Sequence, residues 1–116
     1  MTILVLEKMT TAFAVDILKL SNSLIDKDQD NLADWLFYSC TQIGVKVARA
    51  KATFETENFI SEMKDALSKA NETVYWLEII YENEFITTVR YEIFKYKCNQ
   101  IRIELSKAIK IAKMMK

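Results

Sequence analysis

The sequence contains no proline, no histidine and a single glycine, Gly44, among its 116 residues. Hairpins and tight turns depend on glycine and proline, so their near absence argues against a β-rich fold. Without histidine, and with only two cysteines, the chain lacks the ligands of a tetrahedral thiolate or imidazole metal site. One glycine also cannot form a glycine-rich phosphate loop. We therefore expect an all-α, non-catalytic domain over residues 1–116, with no metal and no cofactor.

Long apolar runs are also lacking. The apolar residues 3–6 are followed directly by Glu7 and Lys8, and no stretch approaches the roughly 18 residues that a membrane-spanning helix needs. No basic segment precedes this short run, as it would in a secretion signal. The sequence predicts a soluble, unsecreted, cytoplasmic protein that makes no contact with membranes.

Apolar residues recur at alternating steps of three and four along four segments, which predicts amphipathic helices at about residues 3–25, 32–52, 55–83 and 88–114. The polar links between them are short, as is typical of an antiparallel up-down-up-down four-helix bundle. The predicted helix caps are Asp30 or Asn31, Thr53 or Thr56, and Thr87. The predicted core positions are, helix by helix, Leu6, Met9, Phe13, Ile17, Leu20 and Leu24; Leu36, Cys40, Ile43, Val47, Ala50 and Phe54; Ile60, Met63, Leu67, Ala70, Val74, Leu77 and Tyr81; and Tyr91, Phe94, Cys98, Ile101, Leu105, Ala108, Ala112 and Met115.

The predicted core positions of each helix form one stripe along it, its core stripe. Each predicted helix after the first also carries apolar residues outside this stripe, and they are densest late in the third helix. A helix that is apolar on several sides needs neighbours on several sides, and large exposed apolar patches usually mark interfaces. The sequence therefore favours self-association over a monomer with a thickened core. The predicted oligomer interface consists of Trp76, Ile79, Ile80 and Tyr96.

The two cysteines, Cys40 and Cys98, both fall in core stripes. A buried free thiol behaves as a small apolar side chain. We expect core thiols here, with a disulfide between the two helices as the less favoured alternative in an unsecreted protein.

Charge is distributed unevenly although the net charge is zero. Residues 1–89 hold 8 basic and 14 acidic side chains, whereas residues 90–116 hold 8 basic and 2 acidic ones. One interpretation of the basic last segment is a surface that binds RNA. The other, which we favour on charge alone, is that its lysines complement the dipole at the C-terminus of a helix. Tyr91 and Tyr96 are candidates for stacking on unpaired bases. The candidate nucleic-acid contacts are Lys95, Arg102, Lys110 and Lys113 on the last helix, with Lys46 and Arg49 on the second.

Several stretches resemble the bacterial four helix bundle protein family, which includes proteins encoded in intervening sequences of 23S rRNA genes, also called S23 ribosomal proteins. The most specific stretch reads Glu72-Thr73-Val74-Tyr75-Trp76-Leu77, and the others are residues 43–50, 59–60 and 66–67 together with the flanks 71 and 78–82. The resemblance implies an antiparallel bundle that assembles into a pentameric ring, without enzymatic activity and with a link to RNA. Where the family reads Ser-Ile-x-x-Asn-Ile-Ala-Glu, this chain has Gln42, Lys46 and Arg49 in the Ser, Asn and Glu positions.

Two functional hypotheses follow from the resemblance and the charge pattern together. The first is a non-catalytic homo-oligomer of the 23S rRNA intervening-sequence type that binds RNA. The alternative is a protein-interaction scaffold that recruits a protein partner, such as the reverse-transcriptase accessory protein of a diversity-generating retroelement, a related bundle.

Overall fold

The computed structural model describes residues 3–115, which form four helices and, over that range, no strand. They are α1 (Ile3–Asp26), α2 (Asp30–Ala52), α3 (Thr56–Glu82) and α4 (Thr88–Met114). The predicted all-α class and the four helices are confirmed, with bounds that differ by at most two residues. None of these helices is long and apolar enough to cross a membrane.

The four helices pack as a bundle in which α1 contacts α2, α2 contacts α3, α3 contacts α4, and α4 contacts α1 more sparsely. A helix of 27 residues is about 40 Å long, and the whole body measures 48 × 21 × 19 Å. Consecutive helices joined by links of three to five residues must therefore run back along one another. The ion pair of Lys51, at the end of α2, with Glu7, at the start of α1, shows this antiparallel order at 3.1 Å.

The core contains most of the predicted stripe, including Leu20, Leu36, Met63 and Leu105, whose side chains are fully buried. Burial of such side chains contributes about 1.5–3 kcal/mol each, so this stripe is what stabilises the bundle.

Two core positions were predicted wrongly. Phe54 is 104% exposed and Met115 is 76% exposed, because α2 ends at Ala52 and α4 ends at Met114, so neither residue continues its helix's stripe. Four other predicted core residues are only partly buried but pack against the core, namely Met9, Leu67, Tyr81 and Ala108. In α4 the buried position is Ile109, next to Ala108. A one-residue shift moves a side chain by about 100° around a helix.

The helix caps match the sequence prediction only at α4. Thr87 accepts a hydrogen bond from the backbone N–H of Arg90 at 3.2 Å, which confirms it as the N-cap. At α2 and α3 the prediction was wrong. The N-cap positions there are Gln29 and Glu55, and neither forms a side-chain cap bond.

Two links contain a non-glycine residue in the left-handed region, Asp28 with φ 61° and Glu84 with φ 63°. After α3, the N–H of Phe85 bonds the Ile80 carbonyl at 3.1 Å and the N–H of Glu84 bonds that of Tyr81 at 2.9 Å. This pair of bonds is the Schellman motif, whose left-handed position is usually glycine. The chain thus forms these helix ends without glycine, at some cost in backbone strain.

Cys40 and Cys98 are free and buried, on α2 and α4. Burial raises the pKa of the Cys98 thiol to about 12, while nearby Arg102 opposes the shift. Burial raises the pKa of Cys40 well above its ordinary value, and Cys98 adds to that effect. Since the thiolate is the reactive form, both side chains act as inert core residues.

Candidate nucleic-acid interface

A basic groove runs between α3 and α4 on the outside of the bundle. Its volume is about 740 Å³. Residues three, four and seven apart on α4 share one side of the helix, which brings its cationic and polar side chains to the edge that faces α3. The groove is lined by Leu67 and Asn71 of α3 and by Asn99, Arg102, Ile103, Ser106, Lys107 and Lys110 of α4.

The three cations of this groove differ in how they are held. Arg102 is partly buried, and its Nη1 donates to Oδ1 of Asn99 at 2.7 Å, which fixes the guanidinium. Lys107 pairs with Glu104 at 3.5 Å. Lys110 is exposed and has no hydrogen-bond or ion-pair partner among residues 3–115. The groove therefore offers one oriented guanidinium and one uncommitted ammonium to an anionic ligand.

The structure brings only part of the predicted basic set into this groove. Arg102 and Lys110 line it together with Lys107, which was not among the predicted contacts. Lys95 lies on α4 with its Nζ 5.6 Å from the centre of the Tyr91 ring, and Lys113 is exposed in the last turn. Neither of these two lines the groove.

Lys46 and Arg49 belong to a different surface. Both lie on α2, which packs alongside α1 and α3 rather than alongside α4 within residues 3–115. Lys46 Nζ is 3.8 Å from an Asp65 carboxylate oxygen, so it faces α3. The two predicted basic spots are therefore separated by α3.

Of the two tyrosines predicted to stack on bases, one is unavailable. Tyr91 is only 6% exposed, and its ring already stacks on Tyr81, with 4.3 Å between ring centres and 4° between ring planes. Tyr96 is 64% exposed on α4.

The predicted oligomer-interface residues are divided between the core and the surface. Ile80 is fully buried within its own chain, so its side chain cannot contact a partner. The prediction that Ile80 belongs to the oligomer interface is therefore wrong. The buried face of α3 is wider than its stripe, because Ala66, Thr73 and Ile80 extend it on one side. Trp76 and Ile79 are partly buried, and Tyr96 is exposed.

A second groove, between α2 and α3, is lined by four aromatic side chains, Trp35, Tyr38, Tyr75 and Trp76, and has a volume of about 490 Å³. The two indole ring centres are 5.0 Å apart, and Trp76 also meets Tyr75 edge-on at 5.2 Å. We call this surface the aromatic groove. This groove was not predicted from the sequence, although the spacing of the aromatic residues 35 and 38 on one helix could have indicated it.

A stripe of exposed apolar residues on α1 was missed as well. Leu4, Val15, Leu18 and Ile25 are 42–53% exposed and lie within roughly a quarter of the helix circumference. They point away from the buried residues of the same helix. We call them the outer α1 stripe.

The whole chain was compared with known proteins. A search of curated proteins finds no match. A solved protein of unknown function from the S23 ribosomal protein family of Bacteroides thetaiotaomicron is 31% identical to this chain, with a TM-score of 0.90. The alignment covers 95% of this chain and 99% of that one. The family model described as 23S rRNA-intervening sequence protein matches residues 3–107, and the chain belongs to this family.

Proposed function

We propose that this protein is a non-catalytic, cytoplasmic, self-associating protein that binds RNA, with its phosphate contacts in the basic groove between α3 and α4. The observation that carries the proposal is the grouping of Arg102, Lys107 and Lys110 with the amides of Asn71 and Asn99. Cations supply affinity for a phosphate backbone, and amide side chains add directional hydrogen bonds. The family's description, which refers to a 23S rRNA intervening sequence, supports the choice of RNA.

The charge pattern of α4 argues against the alternative that its lysines only complement the helix dipole. The dipole acts within the last turn of a helix, and the last turn of α4 contains one basic residue, Lys113. Lys95 and Arg102 both lie more than three turns before the end of α4 at Met114, so the dipole does not explain their positions.

RNA binding can be tested with two lysine-to-alanine variants, both on α4. Lys110→Ala removes the uncommitted cation of the groove, whereas Lys97→Ala removes a lysine that pairs with Asp16 on α1 at 2.8 Å. We expect Lys110→Ala to weaken RNA binding and to flatten the slope of log K against log salt by about 0.7–0.9. Lys97→Ala should change neither quantity. Equal effects of the two variants would remove the basic groove from the proposal.

Self-association is supported by the outer α1 stripe, since helices with apolar residues on two opposite sides are normally covered on both. A ring, with a pentamer as the form that the family resemblance implies, would cover this stripe with a neighbouring copy. Leu18→Glu should reduce the mass measured by light scattering towards the single-chain 13.5 kDa. The control Lys19→Glu changes the charge of an exposed neighbour and should leave the mass unchanged.

The same stripe favours a second candidate function, a scaffold that binds another protein, such as a reverse transcriptase, and contacts nucleic acid only through it. A pull-down before and after nuclease treatment separates the two functions. A protein partner that stays bound after the RNA is digested supports the scaffold, and material that is lost on digestion supports direct RNA binding.

A further inference from the structure

The aromatic groove and the basic groove meet on α3. Asn71 is exposed and lines both of them, with Leu67 on the basic side and Tyr75 on the aromatic side. The grooves lie on either side of α3 and share Asn71, and a helix with its side chains is about 10–12 Å across, so their centres are about one helix width apart. A single nucleic-acid strand, at about 3.4 Å per stacked nucleotide, crosses that distance in roughly three nucleotides.

The aromatic groove has the features of a stacking surface rather than of an ordinary core edge. Tyr38 is 59%, Tyr75 56% and Trp35 48% exposed, although aromatic rings of this size are usually well covered. Polar side chains that can bond base edges, including Ser68 and Asn71, lie beside the rings. The groove therefore combines ring faces with hydrogen-bonding groups, which is the combination that unpaired bases need.

The acidic side chain in the lining of the aromatic groove is paired with a lysine. Glu72 pairs with Lys69 at 3.2 Å. Lys69 also lies over the ring of Tyr38, with its Nζ 5.6 Å from the ring centre. The rings are thus flanked by a neutralised pair, and the basic groove supplies the net positive charge on the other side of Asn71.

We infer that the nucleic acid bound by this protein is single-stranded, with its phosphates in the basic groove and unpaired bases stacked on Tyr38, Tyr75 and the two tryptophans of the aromatic groove. This inference rests on the proposed function. A duplex keeps its bases stacked on one another, so it can use the basic groove but cannot present base faces to the rings.

Trp35 and Trp76 are the two tryptophans of the entire sequence, and both line the aromatic groove. Intrinsic tryptophan fluorescence therefore reports on this groove alone. Three probes of equal length should be titrated against the full chain: a single-stranded RNA of mixed sequence, its abasic counterpart with sugar and phosphate but no bases, and an RNA duplex. We expect the single strand to bind and to quench the tryptophans, and the abasic strand and the duplex to bind more weakly without quenching.

The matched variants are Tyr38→Ala with Tyr75→Ala, and Tyr38→Phe with Tyr75→Phe. Both tyrosine rings are more than half exposed, so we expect both double variants to fold, which circular dichroism checks. The alanine variant removes two rings, so it should bind the single strand more weakly by at least on the order of 5- to 100-fold, the loss expected when one stacked base loses its ring. Its salt slope and its affinity for the abasic strand should stay at the wild-type values, and the phenylalanine variant should bind normally.

Two results would overturn the inference in different ways. If Arg102→Ala with Lys110→Ala weakens binding but the tyrosine-to-alanine variant binds the single strand as wild type does, the basic groove stands and the stacking assignment is wrong. The same conclusion follows if the duplex binds as tightly as the single strand. If wild-type protein binds none of the three probes, the proposed RNA-binding function itself fails, and the inference fails with it.

Discussion

The neighbouring isoleucines Ile79 and Ile80 provide a direct test of where the core of α3 ends and its surface begins. Ile80 is fully buried in the single chain. Ile79 is only partly buried and does not pack against the main core cluster. The same substitution at adjacent positions therefore separates burial within the chain from any contact with a second copy.

We expect Ile80→Ala to lower the free energy of unfolding by about 2–5 kcal/mol, the range for isoleucine-to-alanine changes in filled cores. Unfolding entropy near 2.1 cal/mol/K per residue gives roughly 0.24 kcal/mol/K for a chain of this length, so Tm should fall by roughly 8–20 °C. Ile79→Ala should lower the free energy of unfolding by at most about 1 kcal/mol, because the Ile79 side chain is only partly buried.

The assays are urea unfolding for the free energy and thermal unfolding for Tm, both followed by circular dichroism at two protein concentrations. Binding of a second copy stabilises the folded chain by mass action. Only a substitution in the interface should therefore lower the free energy of unfolding by an amount that depends on protein concentration. Equal losses for the two variants would refute the placement of Ile80 in the core and Ile79 at the surface. A loss at Ile79 that grows at low protein concentration would place Ile79 in the self-association interface.

Three further predictions concern the backbone and the thiols. Glu84→Gly should stabilise the fold by about 1 kcal/mol by relieving its left-handed backbone, and the control Glu78→Gly, within helical α3, should destabilise it by a similar amount. A lower free energy of unfolding for Glu84→Gly would contradict the strain at this position. Gly44→Ala should stabilise by roughly 0.5–1 kcal/mol, because the added methyl meets its nearest neighbour at an acceptable 3.4 Å; lower stability would show overpacking. With their pKa values raised by burial, Cys40 and Cys98 should resist alkylation at pH 8.5 until urea unfolds the chain, and rapid native labelling would refute their burial.

The helices were predictable because their apolar spacing follows the helical period over more than twenty residues each. The same period gave a wrong prediction at Phe54 and Met115, where the apolar pattern continues beyond the end of the helix. The core position of Ile80 could not be read from the stripe either. The helix angle at which α3 packs on its neighbours decides how wide its buried face is, and sequence spacing does not give that angle.

The candidate site was predictable only where a single helix provides it. Arg102 and Lys110 share one side of α4, so their spacing indicated a common surface. The relation of Lys46 to that surface depends on which helices are neighbours, and α2 packs alongside α1 and α3 rather than alongside α4 within residues 3–115. The aromatic groove joins Trp35 and Trp76, 41 positions apart in sequence, and only the antiparallel register of α2 and α3 brings them to 5.0 Å.

The proposed function makes two claims at once, self-association and RNA binding, and native mass spectrometry of the purified chain reads both. The account predicts a multiple of the 13.5 kDa chain mass, five-fold for the pentamer that the family resemblance implies, with an RNA adduct that nuclease or high salt removes. A 13.5 kDa species that carries no nucleic acid and acquires none when single-stranded RNA is added would contradict it.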